Sequence, residues 1–116
     1  MSTQTPEPFP SAGISDAMRA IEAGAVLLDV RERNEWDAGH APQAVFLPMS
    51  EINHRLDELP RTGHIVVTCR SGNRSQAVVR FLLGQGVDAV NLDGGMRAWQ
   101  ATGGELVADN GTPTII

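Results

Sequence analysis

The stretch from His64 to Leu83 constrains this chain more than any other. His64–Thr68 (HIVVT) is β-branched and apolar, the composition of a strand covered on both faces. Gln76–Leu83 sets Ala77, Val78, Phe81 and Leu82 at helical spacing, the pattern of a helix with one buried side. Between them lies Cys69-Arg70-Ser71-Gly72-Asn73-Arg74-Ser75, a loop of turn-forming residues. A strand that feeds through a short loop into a helix is half of a βαβ unit, and such units build parallel sheets.

The rest of the chain repeats the alternation. Ser15 or Asp16 can cap a short helix running to about Glu22, with Ala17, Met18 and Ile21 on one side and Gly24 as its stop. Ala25–Val30 is an apolar run broken by one Asp and reads as a buried strand. Glu32–Ala38 reads as one or two acidic helical turns closed by Gly39, and Val45–Leu47 as a second short strand. Ser50 opens a helix in which Ile52, Leu56 and Leu59 form a narrow apolar stripe, ended by Pro60. Ala89–Leu92 is a fourth strand and Met96–Ala101 a last helix. The expectation is an α/β domain with a central, mainly parallel sheet and helices on both faces. A length of 116 residues suits one domain. The expected division is a disordered lead over 1–11, carrying Pro6, Pro8 and Pro10, the domain over 12–108, and a C-terminal tail over 109–116.

Charge and cysteine content narrow the function classes. The net charge is −5, and all nine bases are arginines, with no basic run. That predicts no nucleic-acid partner and no docking on an anionic membrane. No apolar run reaches the roughly 18 residues of a membrane span, and the polar, Pro-rich start does not resemble a secretory signal. Without lysine, no side-chain amine is present to act as a base or form a Schiff base. Cys69 is the single cysteine, which excludes an internal disulfide or a CxxC pair and fits a reducing cytoplasm. His40, His54 and His64 have no close Cys, Asp or Glu spacing that would make a metal site, and no cofactor is implied.

Cys69 directly follows the best strand, where ligands of open parallel sheets bind. Alone it reads as a small buried hydrophobe. Its neighbours change that reading. Gly72 and Asn73 are the residue types that most readily take left-handed backbone angles, so the loop can curl and aim its N–H groups inward. The following helix adds its positive end, and Arg70 and Arg74 add formal charge. A cysteine in such a cradle should be a stabilised thiolate. Cysteine phosphatases carry C-x5-R; here Arg74 makes C-x4-R, a tighter cup suited to a smaller group such as one sulfur atom.

With these residues in view, the sequence resembles a single-domain rhodanese, a thiosulfate sulfurtransferase, over roughly residues 12–108. Leu28-Asp29-Val30-Arg31-Glu32 with Trp36 and Gly39-His40-Ala41-Pro42, the loop at 69–75, and Gly94-Gly95-Met96-Arg97-Ala98-Trp99 carry the resemblance. Residues 39–44 (GHAPQA) and Gly104-Glu105 depart from the usual pattern, outside the cysteine loop. The resemblance implies a Cys69 persulfide formed from thiosulfate or a similar small donor, then relieved by cyanide or a thiol. Arg70, Ser71, Gly72, Asn73, Arg74 and Ser75 would bind the donor. Asp29 and Arg31 read as an ion pair that supports the site, and His40 as the brace of its turn. Trp36 and Trp99 read as packing residues that could instead line the mouth. Three alternatives stay open: a sulfur carrier serving a protein acceptor, a non-catalytic binding module, and a small phosphatase or arsenate-handling enzyme.

Overall fold

The structure, a computed structural model, describes residues 10–60 and 63–116. Its core follows from the two-residue period of its strands. In β2 (Val26–Asp29), Leu27 points to one face and Leu28 to the other. In β4 (Ile65–Thr68), Val66 joins Leu27 while Ile65 and Val67 join Leu28. In β5 (Ala89–Leu92), Val90 and Leu92 lie on the Leu27 side and Ala89 on the other. Both faces must therefore be covered. Helices α1 (Ile14–Glu22) and α4 (Gly95–Ala101) cover the Leu27 face with Ala17, Met96 and Trp99. Helix α3 (Arg74–Gly84) covers the Leu28 face with Val78, Val79 and Leu82.

All strand pairings are parallel, in the order β1-β5-β4-β2-β3. The edge strands are β1 (Ser11–Ala12) and β3 (Val45–Phe46). The α/β expectation with helices on both faces holds, with a fifth strand beyond the four read from the sequence. Two residues among prolines carry no periodicity by which β1 could have been recognised. The expected disordered lead falls on residues outside the described ones except Pro10 and Ser11. Those two are ordered: Ser11 pairs with Asn91, and the Asn91 N–H donates to the Pro10 carbonyl at 2.9 Å. The tail also lies on the body, where Thr114 N–H donates to the Ala38 carbonyl at 2.9 Å and Ile115 packs on the Leu27 face.

Two local expectations are corrected. Helix α1 is capped by Gly13 and not by Ser15 or Asp16; Asp16 sits inside the first turn and pairs with Arg19. The helix expected from Ser50 is two 3₁₀ turns, Met49–His54 and Leu56–Glu58, broken at Arg55. Three apolar residues give too little buried surface to hold a regular helix there. The break still buries Ile52 and Leu59 under α3, while Arg55 ties Glu51 to Glu58 on the solvent side. Helix α2 (Arg33–Ala38) follows β2 and fully buries none of its residues; it lies at the sheet end, where Trp36 packs on Phe46 of β3 with ring centroids 4.8 Å apart. Among the described residues no helix is long and apolar enough to cross a membrane.

Helix α4 begins against the loop that leaves β4. Its early N–H groups have no partner inside the helix, and they use that loop instead. Met96 N–H donates to the Cys69 carbonyl at 2.8 Å and Arg97 N–H to the Arg70 carbonyl at 3.0 Å. Gly95 makes this approach possible: its φ is +57°, and a Cβ there would lie 2.4 Å from the Cys69 carbonyl oxygen. Gly95→Ala should therefore destabilise the protein by more than about 2 kcal/mol. Gly84→Ala, at a helical position with nothing within 4 Å, should leave stability level or raise it by up to about 1 kcal/mol. Denaturant titration of both variants checks this, and equal midpoints would contradict it.

Candidate active site

Cys69 leaves the C-terminal end of β4 and is 1% exposed. Gly72 takes φ +101°, a left-handed angle that a side chain resists, and so curls the loop back on the sulfur. Its N–H donates to Cys69 Sγ at 3.2 Å. Ser75 N–H, in the first turn of α3, donates to the same atom at 3.4 Å, and Ser75 Oγ lies 3.3 Å away. Asn73 does not share the left-handed role expected of it. It is right-handed, with φ −88° and ψ −51°, and caps α3 without a side-chain bond. One glycine is enough to close the cup.

Burial alone pushes the Cys69 thiol up. The Ser75 hydroxyl, then the N–H groups of Ser75, Gly72 and Ser71, more than offset that, and the thiol is held below its ordinary value. The N-terminus of α3 adds its dipole at the same point. The loop thus supplies to a buried sulfur the polar hydrogens that water would otherwise give.

The two arginines divide. Arg70 stands exposed at the rim, its Nε–H donating to the Ile116 oxygen at 2.9 Å. Arg74, expected to bind substrate, is instead locked to Glu35 of α2 by two bonds of 2.7 Å. The fork geometry matches guanidinium to carboxylate, so Arg74 is held as a brace between the loop and α2. Its hydrogen bond holds the Glu35 carboxyl below the usual carboxylate range.

Asp29 and Arg31, both fully buried, form the ion pair expected of them, with Arg31 Nη2 2.7 Å from Asp29 Oδ2. Arg31 also donates to the Gly39 carbonyl at 2.8 Å and the Glu35 carbonyl at 3.3 Å. It anchors α2, which in turn presents Glu35 to Arg74. His40 braces the turn as expected: its Nδ1 is 2.9 Å from the Trp36 carbonyl and its ring stacks on Trp36 at 3.6 Å. Trp99 packs in the core, 3% exposed. His64 meets Asp88 at the surface, and His54 is exposed. Among the described residues no group of three or more His, Cys, Asp or Glu side chains is placed to hold a metal ion.

Sequence reading missed Glu35 and Asn91. Glu35 lies 39 positions from Arg74 and shows no local signal of its partner. Asn91 does carry one. It is a polar residue inside the buried strand AVNL, at the parity of Ala89 and therefore on the face that holds Cys69. Its amide bonds the Ser75 hydroxyl.

Comparison with known proteins gives consistent results. The Rhodanese-like domain family matches residues 14–102. The provisionally named sulfurtransferase YtwF of Bacillus subtilis (strain 168) is 43% identical over 90 residues, which cover 78% of this chain and 86% of that one. The thiosulfate sulfurtransferase GlpE of Pseudomonas syringae pv. syringae (strain B728a) is 38% identical over 82 residues, 70% of this chain and 77% of that one. A rhodanese-related protein from Thermoplasma volcanium superposes with a TM-score of 0.81 at 33% identity, covering 87% of this chain and all of the other.

The site's electrostatics set a pH dependence. Only the thiolate reacts with an alkylating agent, and the cup lowers the thiol's pKa. The rate of Cys69 alkylation by iodoacetamide should therefore climb through a midpoint below the free-thiol value of about 8.5 and level off above it. Urea-unfolded protein should show the ordinary midpoint. A folded midpoint at or above the unfolded one would contradict this account of the cup.

Proposed function

This chain belongs to the rhodanese-like domain family, and on that premise we propose that it is a sulfurtransferase working through a Cys69 persulfide. The observation that carries the reading is the buried sulfur ringed by Gly72 N–H, Ser75 N–H and Ser75 Oγ. A sulfur ringed by hydrogen-bond donors favours a small anionic donor such as thiosulfate, and the GlpE relative is named for that donor.

The Cys69 thiolate attacks the outer sulfur of the donor. A new S–S bond forms, the donor's own S–S bond breaks, and sulfite leaves with its electron pair. Arg70, at the rim, is the cation that meets the sulfonate end as it arrives and departs. The persulfide's terminal sulfur carries the negative charge, and the loop N–H groups from Arg70 to Ser75 stabilise it. An acceptor nucleophile, cyanide or a thiolate, then bonds to that sulfur and releases the Cys69 thiolate. With one cysteine in the chain, no internal thiol can take the sulfur, so the acceptor is external, whether a small thiol or a protein. A thiol that must stay reduced between turnovers is consistent with a cytoplasmic setting. Arg74 is committed to Glu35, which supports sulfur chemistry over phosphate chemistry: a phosphatase needs that guanidinium on the phosphate oxygens.

The test is turnover of thiosulfate and cyanide to thiocyanate beside hydrolysis of p-nitrophenyl phosphate. Wild type should form thiocyanate and leave the ester intact. Cys69→Ser should lose transfer while keeping its thermal melt. Retained transfer in Cys69→Ser, or ester hydrolysis faster than sulfur transfer in wild type, would overturn the proposal.

A further inference from the structure

Asn91 sits inside β5, 1% exposed, where its side chain meets the Ser75 hydroxyl in a hydrogen bond. Ser75 Oγ is in turn 3.3 Å from Cys69 Sγ. Three buried groups therefore stand in file: amide, hydroxyl, sulfur. A hydroxyl has one proton to give, so the direction of the file depends on the state of the sulfur. As a neutral thiol, Cys69 donates S–H to Ser75 Oγ, and Ser75 donates O–H to Asn91 Oδ1. As a thiolate, its proton lost to solvent, the sulfur only accepts. The Ser75 proton must then turn toward it, which leaves Asn91 Oδ1 without its donor.

An amide resolves this conflict. Turned by 180° about its Cβ–Cγ bond, Asn91 places Nδ2–H where Oδ1 was and donates to Ser75 Oγ. The same contact then runs in the opposite direction, with every proton aimed at the charged sulfur. A carboxylate at this position would only accept and would hold the Ser75 proton away from Cys69. An aliphatic side chain would leave the hydroxyl unbacked. We propose that Asn91 is a positioning residue: acting through Ser75, its reversible amide holds the hydroxyl on the anionic sulfur of Cys69, first as thiolate and then as persulfide. The proposal rests on the reading of Cys69 as the nucleophile.

The charged groups on the elements around Cys69 include Arg70 in the loop, Arg74 and Arg80 on α3, Arg33, Glu35 and Asp37 on α2, the Asp29–Arg31 pair at the end of β2, and Asp93 and Arg97 where β5 turns into α4. Substitution of Asn91 leaves all of them in place.

The experiment is the pH profile of iodoacetamide alkylation at Cys69 in wild type, Asn91→Leu, Ser75→Ala and the double variant, each first shown to be folded by circular dichroism. Alkylation needs neither sulfur donor nor acceptor, so failure here is separate from failure of the sulfurtransferase reading. Asn91→Leu should slow alkylation at neutral pH roughly tenfold, the scale of one charge-assisted hydrogen bond, and raise the midpoint. In the Ser75→Ala background the same substitution should change nothing further. A profile for Asn91→Leu that overlays wild type would overturn the proposal. So would an equal shift in both backgrounds, because Asn91 would then act without Ser75. Should Asn91→Leu fail to fold, Asn91→Asp is taken through the same cycle: a larger upward shift with Ser75 present than in the Ser75→Ala background supports the proposal, and equal shifts overturn it.

Discussion

A sulfur that is 1% exposed can carry negative charge only if polar hydrogens replace the water it has lost. Much of the architecture at the C-terminal edge of this sheet can be traced to that requirement. The hydrogens come from the backbone of a loop, and a loop supplies them reliably only when its carbonyls are bound elsewhere. Helix α4 takes two of them, from Cys69 and Arg70, onto its own unpaired N–H groups. The need is mutual, since the start of a helix lacks acceptors and the inverted loop lacks donors on its outer side. Gly95 permits the close approach, and Gly72 permits the curl.

The remaining supports reach the same loop from other directions. Asn91 reaches it from β5 through Ser75, and Glu35 reaches it from α2 through Arg74. The buried Asp29–Arg31 pair sets the position of α2. Such a pair gives little net stability, but removing one partner strands a charge in the core, at a typical cost of about 3–5 kcal/mol. Its role here is geometric: Arg31 donates at once to the Glu35 carbonyl in α2 and to the carbonyl of Gly39, which caps that helix, and a hydrophobic pair of the same volume could not do so. Arg74 is paired with the Glu35 carboxylate, and the groups that bond Cys69 Sγ are the Gly72 and Ser75 N–H groups and the Ser75 hydroxyl.

The central strand, the loop and α3 were legible in the sequence because each has a strong local signal: β-branching, turn residues, a 3.6-residue apolar period. The faces of the sheet were legible too, since Leu27 and Leu28 must point oppositely in a strand. Three things were not. Strand β1 is two residues long and exists because β5 offers it an edge. The 3₁₀ turns at 49–58 were read as a helix because Ile52, Leu56 and Leu59 keep a helical period; three apolar residues bury too little surface to carry a regular helix through Arg55. The partner of Arg74 lies in a distant helix, so its charge was assigned to the substrate. Asn91 differs from these, because strand parity alone places it on the side of Cys69.

The central claim is that this cup turns a buried thiol into a carrier of one sulfur atom. Intact mass spectrometry after incubation with thiosulfate and removal of excess donor tests it most directly. The account predicts that wild type gains the mass of a single sulfur atom, located at Cys69 by peptide mapping and lost on addition of cyanide. An unchanged mass, or a sulfur that cyanide does not remove, would contradict it.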